Sequence, residues 1–207
     1  MKLKIGKQPL PSELFRELMN KYNLSYEEAW KRIDEQAKID TSFGGAIAGG
    51  MSEVAFKEEC SQQSWIKSCE KITDKKKKGD FNITTIEGKS YSIEIKECNT
   101  DSIYKENDIF YGSVGTNRSD KAETLLSNGQ TVYCNYFLTG QYNILAISKV
   151  NMIQKYDFCY ILESNLDRVS KSKKIPKECY NDFLNPTQKI NFSDSKVKNT
   201  LKEVIDF

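Results

Sequence analysis

The sequence predicts an α/β domain in which a mixed central sheet is flanked by helices. Its 207 residues are enough for one such domain with a core of its own. A helical pattern beginning near residue 51 is followed by two adjacent strand patterns with alternating apolar residues. Further helix and strand patterns fill the second half of the chain. This order of elements indicates a sheet with helices packed on it.

The first forty residues are predicted to be helical. Apolar residues recur at helical spacing after Ser12, and a second helix begins at Ser25. Ser25 and Glu28 have the spacing of a capping box, in which each side chain bonds the backbone of the other residue. We expect a helical N-terminal extension over residues 1–45, with core packing as its default role.

Residues 43–50 are rich in glycine and are predicted to form a flexible loop before a helix over residues 51–63. The run lacks the Lys-Ser/Thr ending of a phosphate-binding P-loop, so no nucleotide cofactor is expected. On the helix, Glu53 shares a face with Phe56 and Cys60 and lies at the edge of the predicted buried stripe. A first-turn carboxylate is also favoured by the helix dipole, which leaves a structural role open.

Residues 80–86 and 90–96 form two strand patterns around a turn and predict a β-hairpin. Because side chains alternate along a strand, Glu94 and Lys96 project from the same face. The first strand brings Asp80 to the same end of the hairpin. Two carboxylates and a lysine on rigid strands form a hard-cation site with a positive charge beside it, as metal-assisted phosphodiester cleavage requires.

The rest of the chain is predicted to add a short first strand near residues 71–73 and a polar loop that ends near residue 117. The other elements are a helix over 119–127, strands over 131–138, 142–150 and 156–162, and a helix over 193–205. We predict one domain over residues 1–207, in which residues 166–207 hold a basic segment and the last helix.

The run Gly79-Asp80, thirteen residues, then Glu94-Ile95-Lys96 resembles the motif of the PD-(D/E)XK nuclease superfamily. The resemblance covers about residues 50–150 at the level of pattern, and Gly79 replaces the proline of the family name. It implies a restriction-endonuclease-like core, with element order αβββαβ, over residues 50–165. The alternative is an exposed edge strand that carries charges beside a turn aspartate.

The resemblance also implies roles for these residues. Asp80, Glu94 and the backbone carbonyl of Ile95 would bind Mg²⁺, for which Mn²⁺ would substitute, and Lys96 would orient or deprotonate the attacking water. Glu53 matches an extra acidic residue that the helix before the hairpin often supplies in this family, binding metal through water. Cleavage would leave a 5′-phosphate and a 3′-hydroxyl. We expect the side chains of Asp80 and Glu94 to face solvent.

Composition excludes several other chemistries. The chain has no histidine, which excludes histidine-dependent hydrolases and nucleases and histidine zinc sites. None of the six cysteines lies in a CxxC spacing, so a structural zinc site is not expected. With no secretory signal and no long apolar stretch, we expect reduced, mostly buried cysteines, a cytoplasmic protein and no membrane partner.

The net charge of +2 does not by itself indicate a polyanion partner, but the basic residues cluster locally. The first cluster consists of Lys75, Lys76, Lys77 and Lys78. Beside an anionic metal site these lysines would contact the phosphates flanking the scissile bond. A second basic stretch runs from Arg168 to Lys177, and Asn117 and Arg118 could bond base edges. Taken singly, each of these features is more typical of an ordinary solvated turn or loop.

Within the superfamily, a compact chain without helicase or methyltransferase motifs is most similar to a type II restriction endonuclease. That similarity implies a homodimer that cuts both strands of double-stranded DNA at a specific sequence. The apolar stripes of the N-terminal helices could form the dimer surface. The alternatives are a repair, recombination or mobile-element nuclease of the same fold, and a DNA-binding module with a vestigial site.

Overall fold

The structure is a computed structural model that describes residues 23–25, 28, 31, 35, 41–74, 79–153 and 155–206, with backbone only for residues 41–48 and 118–120. The chain divides into two compact units, residues 1–58 and 59–207. The α-helices are α1 (Thr41–Ser61), α2 (Val150–Ile153) and α3 (Leu201–Ile205). The strands are β1 (Ile66–Lys71), β2 (Phe81–Thr85), β3 (Ser90–Glu97), β4 (Tyr104–Glu106), β5 (Ile109–Gly115), β6 (Asn117–Leu125), β7 (Thr131–Tyr136), β8 (Ile144–Ser148), β9 (Phe158–Leu162) and β10 (Thr187–Asn191).

In the first unit, the described residues include the predicted capping box. The Glu28 carboxylate accepts a hydrogen bond from the Ser25 backbone N–H at 2.9 Å, and the Ser25 hydroxyl accepts one from the Glu28 N–H at 3.3 Å. This prediction is confirmed. The remaining residues of the predicted N-terminal helices, including the proposed dimer stripes, lie outside the described part of the chain or are described only in isolated positions.

The flexible loop predicted over residues 43–50 is wrong, because helix α1 begins at Thr41 and continues through the glycines. A glycine lowers helix stability by about 1 kcal/mol relative to alanine but does not forbid the helix. Once the residues from Met51 onward have formed a helix, each added residue avoids the cost of nucleation. No helix in the described part of the chain has both the length and the apolar character that crossing a membrane requires.

The second unit is built on a five-stranded mixed sheet with the order β1-β2-β3-β8-β9. Strands β3 and β8 run parallel, and the other neighbouring strands run antiparallel. The predicted hairpin is confirmed as β2 and β3, joined at a turn in which Gly88 has a φ of +83°. The short first strand is β1, which lies before the range predicted for it.

Strands replace a predicted helix in the connection from β3 to β8. Residues 119–127 were predicted to be helical, but Asn117–Leu125 form β6, which pairs antiparallel with β7. The residues alternate faces here, since Thr124 is buried and Leu125 is exposed. Strands β10, β5 and β4 form a further three-stranded sheet. The predicted strands over 131–138, 142–150 and 156–162 are confirmed as β7, β8 and β9.

Two buried clusters hold the second unit together. The first covers one face of the central sheet and includes Leu145, Ile147, Cys159, Ile161, Phe137 and Tyr142. The second lies against the β6–β7 pair and includes Leu126, Cys134, Val169, Ile175, Cys179 and Phe183. None of the six cysteines is in a disulfide, and five of them are buried, which confirms the prediction that most are buried.

The C-terminal helix is shorter than predicted. Only Leu201–Ile205 are helical, because Thr200 caps the helix and the preceding residues form turns. The Thr200 hydroxyl accepts a hydrogen bond from the Glu203 N–H, and the Glu203 carboxylate accepts one from the Thr200 N–H at 2.9 Å. This second capping box fixes the start of α3.

Candidate active site

Asp80 is held against β3 by its backbone and by its side chain. Its N–H donates to the Ile93 carbonyl at 2.7 Å, and its Oδ2 accepts from the Ile95 N–H at 2.7 Å. The preceding Gly79 has a φ of +94°, a conformation that is closed to proline. A Cβ on Gly79 would lie 3.0 Å from the Ile93 carbonyl oxygen. Backbone geometry therefore favours glycine at position 79.

Glu94 and Lys96 project from one face of β3, and they form an ion pair. The distance between Lys96 Nζ and Glu94 Oε1 is 2.6 Å. Glu94 is only 4% exposed, so the expectation that it faces solvent is wrong. The reason lies in the pairing of β3 with β8, which sets Glu94 beside Leu145 and Lys96 beside Ile147 on the face that the first buried cluster covers. Asp80 is half-buried.

The backbone of Ile95 faces the Asp80 side of β3. The N–H of Ile95 donates to Asp80 Oδ2. The N–H and C=O of one strand residue point toward the same neighbouring strand, so the Ile95 carbonyl is directed to that side as well. The side chain of Ile95 is buried on the opposite face from Glu94 and Lys96. Asp80, Glu94 and the Ile95 carbonyl thus belong to one end of the hairpin.

Two aromatic residues extend the site beyond the hairpin. Lys96 Nζ lies 5.8 Å from the centroid of the Phe137 ring, a distance that allows a cation–π interaction. The Phe137 ring packs edge-to-face on Tyr142, with centroids 5.5 Å apart. Tyr142 is only 1% exposed, and its hydroxyl has no hydrogen-bond partner among the described residues. Burial raises the pKa of Tyr142, and the carboxylates of Glu94 and Glu163 raise it further.

A second buried ion pair lies on the same face of the sheet. Arg168 Nη1 is 2.6 Å from Glu163 Oε1, and Glu163 is 8% exposed. The Glu163 N–H donates to the Asn143 carbonyl at 2.8 Å, and Asn143 Oδ1 accepts from the Ser92 N–H at 2.8 Å. Ser92 on β3, Asn143 just before β8 and Glu163 just after β9 therefore form a row, two residues along β3 from Glu94.

Sequence reasoning missed Tyr142, Glu163 and Arg168 as members of this site. Arg168 was noticed only as part of a basic stretch. The pairing of β8 with β3 and β9 brings Tyr142 and Glu163 near Glu94, although both residues lie more than forty positions after Glu94 in the sequence. No local spacing signals such a contact. The available sequence signal was a tyrosine at the start of a strongly apolar strand.

The other predicted site residues belong to other parts of the chain. Glu53 is half-buried on the portion of α1 that belongs to the first unit. Asn117 is exposed at the start of β6, where it pairs with Tyr136, and Arg118 follows it in the strand. The basic run of residues 75–78 lies outside the described residues. Asn117 and Arg118 therefore stand on a strand rather than in the predicted loop.

The oxygen donors at the hairpin are few but suited to a hard cation. Over the described ranges no group of three cysteine, aspartate or glutamate side chains could jointly hold a metal ion. Mg²⁺ commonly binds through one or two carboxylates and completes its shell with water and substrate phosphates. Asp80, Glu94 and the Ile95 carbonyl fit that kind of donor set.

Comparison of the chain with protein-family models, with curated proteins and with solved structures finds no match. The candidate site is therefore defined by its own geometry. Its features are an anchored aspartate, a buried glutamate and a partly exposed lysine on adjacent strands.

Proposed function

We propose that the protein is a Mg²⁺-dependent endonuclease that hydrolyses double-stranded DNA at a specific sequence, as type II restriction endonucleases do. The observation that carries the proposal is the buried Glu94–Lys96 pair beside the anchored Asp80 on the β2–β3 hairpin. Burying a carboxylate is costly unless its charge is compensated, so such groups concentrate at functional sites. An exposed edge strand decorated with charges would not bury Glu94.

The order of elements supports a restriction-endonuclease-like core as part of the proposal. Helix α1 is followed by β1, β2 and β3, which correspond to the αβββ portion of that core. The next strand of the central sheet, β8, lies parallel to β3, which carries the motif. The connection from Cys98 to Asn143 differs, because it forms strands β4 to β7 where the core order has a helix.

The residues of the chain have distinct roles in the proposed reaction. Asp80, Glu94 and the Ile95 carbonyl would hold the metal, which when bound lowers the pKa of a coordinated water and neutralises charge on the phosphate. The bond from the Ile95 N–H fixes the orientation of the Asp80 carboxylate. Lys96 keeps its ammonium beside Glu94, and its side chain is 27% exposed. It can therefore donate a hydrogen bond to a phosphate oxygen and offset developing negative charge.

The proposed partners follow from the similarity to type II restriction endonucleases. A type II enzyme acts as a homodimer, so that two copies of the site face opposite strands of the duplex. The mass in solution would then be about twice 23.8 kDa when DNA is bound. The proposal needs no nucleotide and assigns the activity to the cytoplasm, where cysteines outside disulfides would stay reduced.

The test is cleavage of plasmid DNA by the wild type and by two isosteric variants, Asp80→Asn and Glu94→Gln. We expect discrete fragments with Mg²⁺ or Mn²⁺, binding without cutting in Ca²⁺, and no cutting in excess EDTA. Each variant should lose at least about a thousandfold in rate, because loss of metal-assisted catalysis raises the barrier by several kcal/mol. Isosteric changes are preferred because Glu94 is buried and alanine would leave a cavity.

Glu87→Gln is the matched control, since Glu87 is an exposed carboxylate in the turn of the same hairpin. It should cut at the wild-type rate. Full activity in EDTA, or near-normal rates in Asp80→Asn and Glu94→Gln, would refute the proposal. Smeared degradation, or cutting only at branched or damaged DNA, would favour a repair, recombination or mobile-element nuclease. Binding without any cleavage would favour a vestigial DNA-binding module.

A further inference from the structure

We propose that residues 171–177, here called the basic loop, form a second contact of this protein with double-stranded DNA and bind its phosphate backbone away from the cleavage site. That the ligand of the basic loop is DNA, and no other polyanion, rests on the proposed function. The loop itself is assigned from its charge, its fixed conformation and its connection to the candidate active site.

The basic loop carries positive charge without compensation. Its charged residues are Lys171, Lys173, Lys174 and Lys177, and all four are exposed. None of them takes part in an ion pair within the described part of the chain. By contrast, Lys89, Lys105 and Lys149 each have a carboxylate oxygen within 3.4 Å. The loop contains no aspartate or glutamate, so seven residues present four positive charges.

Hydrogen bonds fix the backbone that carries these lysines. The Ser172 hydroxyl accepts from the N–H groups of Lys174 and Ile175 at 3.1 and 3.2 Å. The Tyr180 hydroxyl accepts from the Ser172 N–H at 2.9 Å and donates to the Ser172 carbonyl at 3.0 Å. Ile175 is buried in the second cluster. A surface held in this way loses less conformational entropy on binding than a flexible lysine tail.

The basic loop is linked to the candidate active site through the Arg168–Glu163 ion pair. Arg168, three residues before Lys171, pairs with Glu163, and Glu163 lies two strands from Ser92 on β3. Neighbouring strands are about 4.8 Å apart, and three residues span at most about 10 Å. A duplex that contacts the partly exposed Lys96 can therefore reach the basic loop within about one helical turn of 34–36 Å.

Duplex DNA fits this surface better than an acidic protein segment does. It presents one negative charge per about 1.7 Å of its axis at regular spacing, so several lysines can meet phosphates at once. Contacts of this kind position the duplex and carry no sequence information themselves. The basic loop would therefore contribute affinity and orientation, while base recognition would come from other residues.

The test uses a variant in which the four loop lysines are replaced by alanine, K171A/K173A/K174A/K177A. Its matched control is K67A/K189A/K196A/K202A, which removes the same charge from exposed lysines elsewhere. Binding of a fluorescent duplex is measured in Ca²⁺ buffer at salt concentrations between about 50 and 200 mM. Affinity falls as salt rises, and each lost phosphate contact makes the slope of log affinity against log salt less negative by about 0.9. The slope of the loop variant should therefore be smaller in magnitude than that of the wild type by about 2–4.

The control variant should keep a slope close to that of the wild type. When the cleavage rate is measured over a range of DNA concentrations in saturating Mg²⁺, the loop variant should have the wild-type kcat and a higher KM, because the lysines bind DNA and take no part in the chemical step. Equal urea midpoints for the wild type and both variants would show that folding is intact.

The outcomes separate this inference from the proposed function. If the wild type binds the duplex but the loop variant and the control have equal slopes, the inference is overturned while the nuclease proposal stands. If polyglutamate competes as well as DNA does at equal charge, DNA is the wrong occupant of the loop. If the wild type binds no duplex at all, both the proposed nuclease function and the proposal that the basic loop binds DNA are refuted.

Discussion

Replacing Lys96 with methionine removes the ammonium that compensates the buried Glu94 carboxylate. At the 2.6 Å separation of the two atoms, Coulomb's law with an effective dielectric constant of about 20 gives an attraction of about 6 kcal/mol. Desolvation of both groups offsets part of this attraction. Breaking a buried pair by removing one partner costs about 3–5 kcal/mol. Because the Lys96 side chain is 27% exposed, we expect the lower end, about 3 kcal/mol.

Urea unfolding measures this loss. With an m-value of about 2 kcal/mol/M, a loss of about 3 kcal/mol lowers the midpoint by about 1.5 M. The control is Lys89→Met, which removes an ammonium 3.4 Å from Glu87 in a pair whose side chains are 62% and 70% exposed. That exposed pair should contribute less than about 1 kcal/mol. The double variant Glu94→Gln/Lys96→Met should recover much of the loss, since no uncompensated charge is left.

The same variants test metal binding without relying on cleavage. A bound dication would replace the missing positive charge beside Glu94, so Mg²⁺ should restore stability to Lys96→Met but not to the double variant. A ligand at a hundred times its Kd contributes about 2.7 kcal/mol to the free energy of unfolding. Equal losses in Lys96→Met and Lys89→Met would show that Glu94 is not buried as described and would refute the reasoning.

Three further changes test other features of the structure. Tyr142→Phe should raise the free energy of unfolding by about 1 kcal/mol, because it removes a buried hydroxyl that has no hydrogen-bond partner among the described residues. A melting temperature below that of the wild type would contradict this. Gly79→Ala should cost about 1–3 kcal/mol and impair cleavage, because alanine is strained at positive φ and its Cβ would press on the Ile93 carbonyl. Gly140→Ala, also at positive φ but with open space around the Cβ, is its control and should cost less in urea unfolding. Burial raises the pKa of Glu59, so its contribution to stability is complete below the ordinary pKa of about 4.3 and is lost as pH rises through the raised value. In Glu59→Gln, the urea midpoint should therefore depend less on pH at pH values above about 4.5. If the variant and the wild type have the same pH profile, Glu59 does not have a raised pKa in the folded protein.

Local patterns in the sequence were sufficient for several elements. Alternation along residues 90–96 predicted a strand that carries Glu94 and Lys96 on one face, and β3 has that arrangement. The spacing of Ser25 and Glu28 predicted a helix cap. The turn at Gly88 followed from residues adjacent in the chain. These features depend on neighbours within a few residues, which is why a single sequence shows them.

Other local patterns were outweighed by interactions that are distant in sequence. The residues of β6 were expected to be helical, but pairing with β7 and burial of one face against the second cluster make them a strand. Strand formation depends on the neighbours a segment packs against more than on its own residues. The glycine-rich start of α1 was predicted to be a loop but is helical. A segment with weak helical propensity can extend a helix that its stronger neighbour has already formed.

The sequence by itself determined which chemical groups the hairpin holds, while the tertiary structure decided their environment. Pairing of β3 with β8 buries Glu94 beside Leu145, and it brings Tyr142 and Glu163 to the same face from distant parts of the chain. Register between parallel strands is set by long-range packing and cannot be deduced from the spacing within either strand. The face of Glu94 was therefore fixed by the local alternation, and its burial by a strand about fifty residues away.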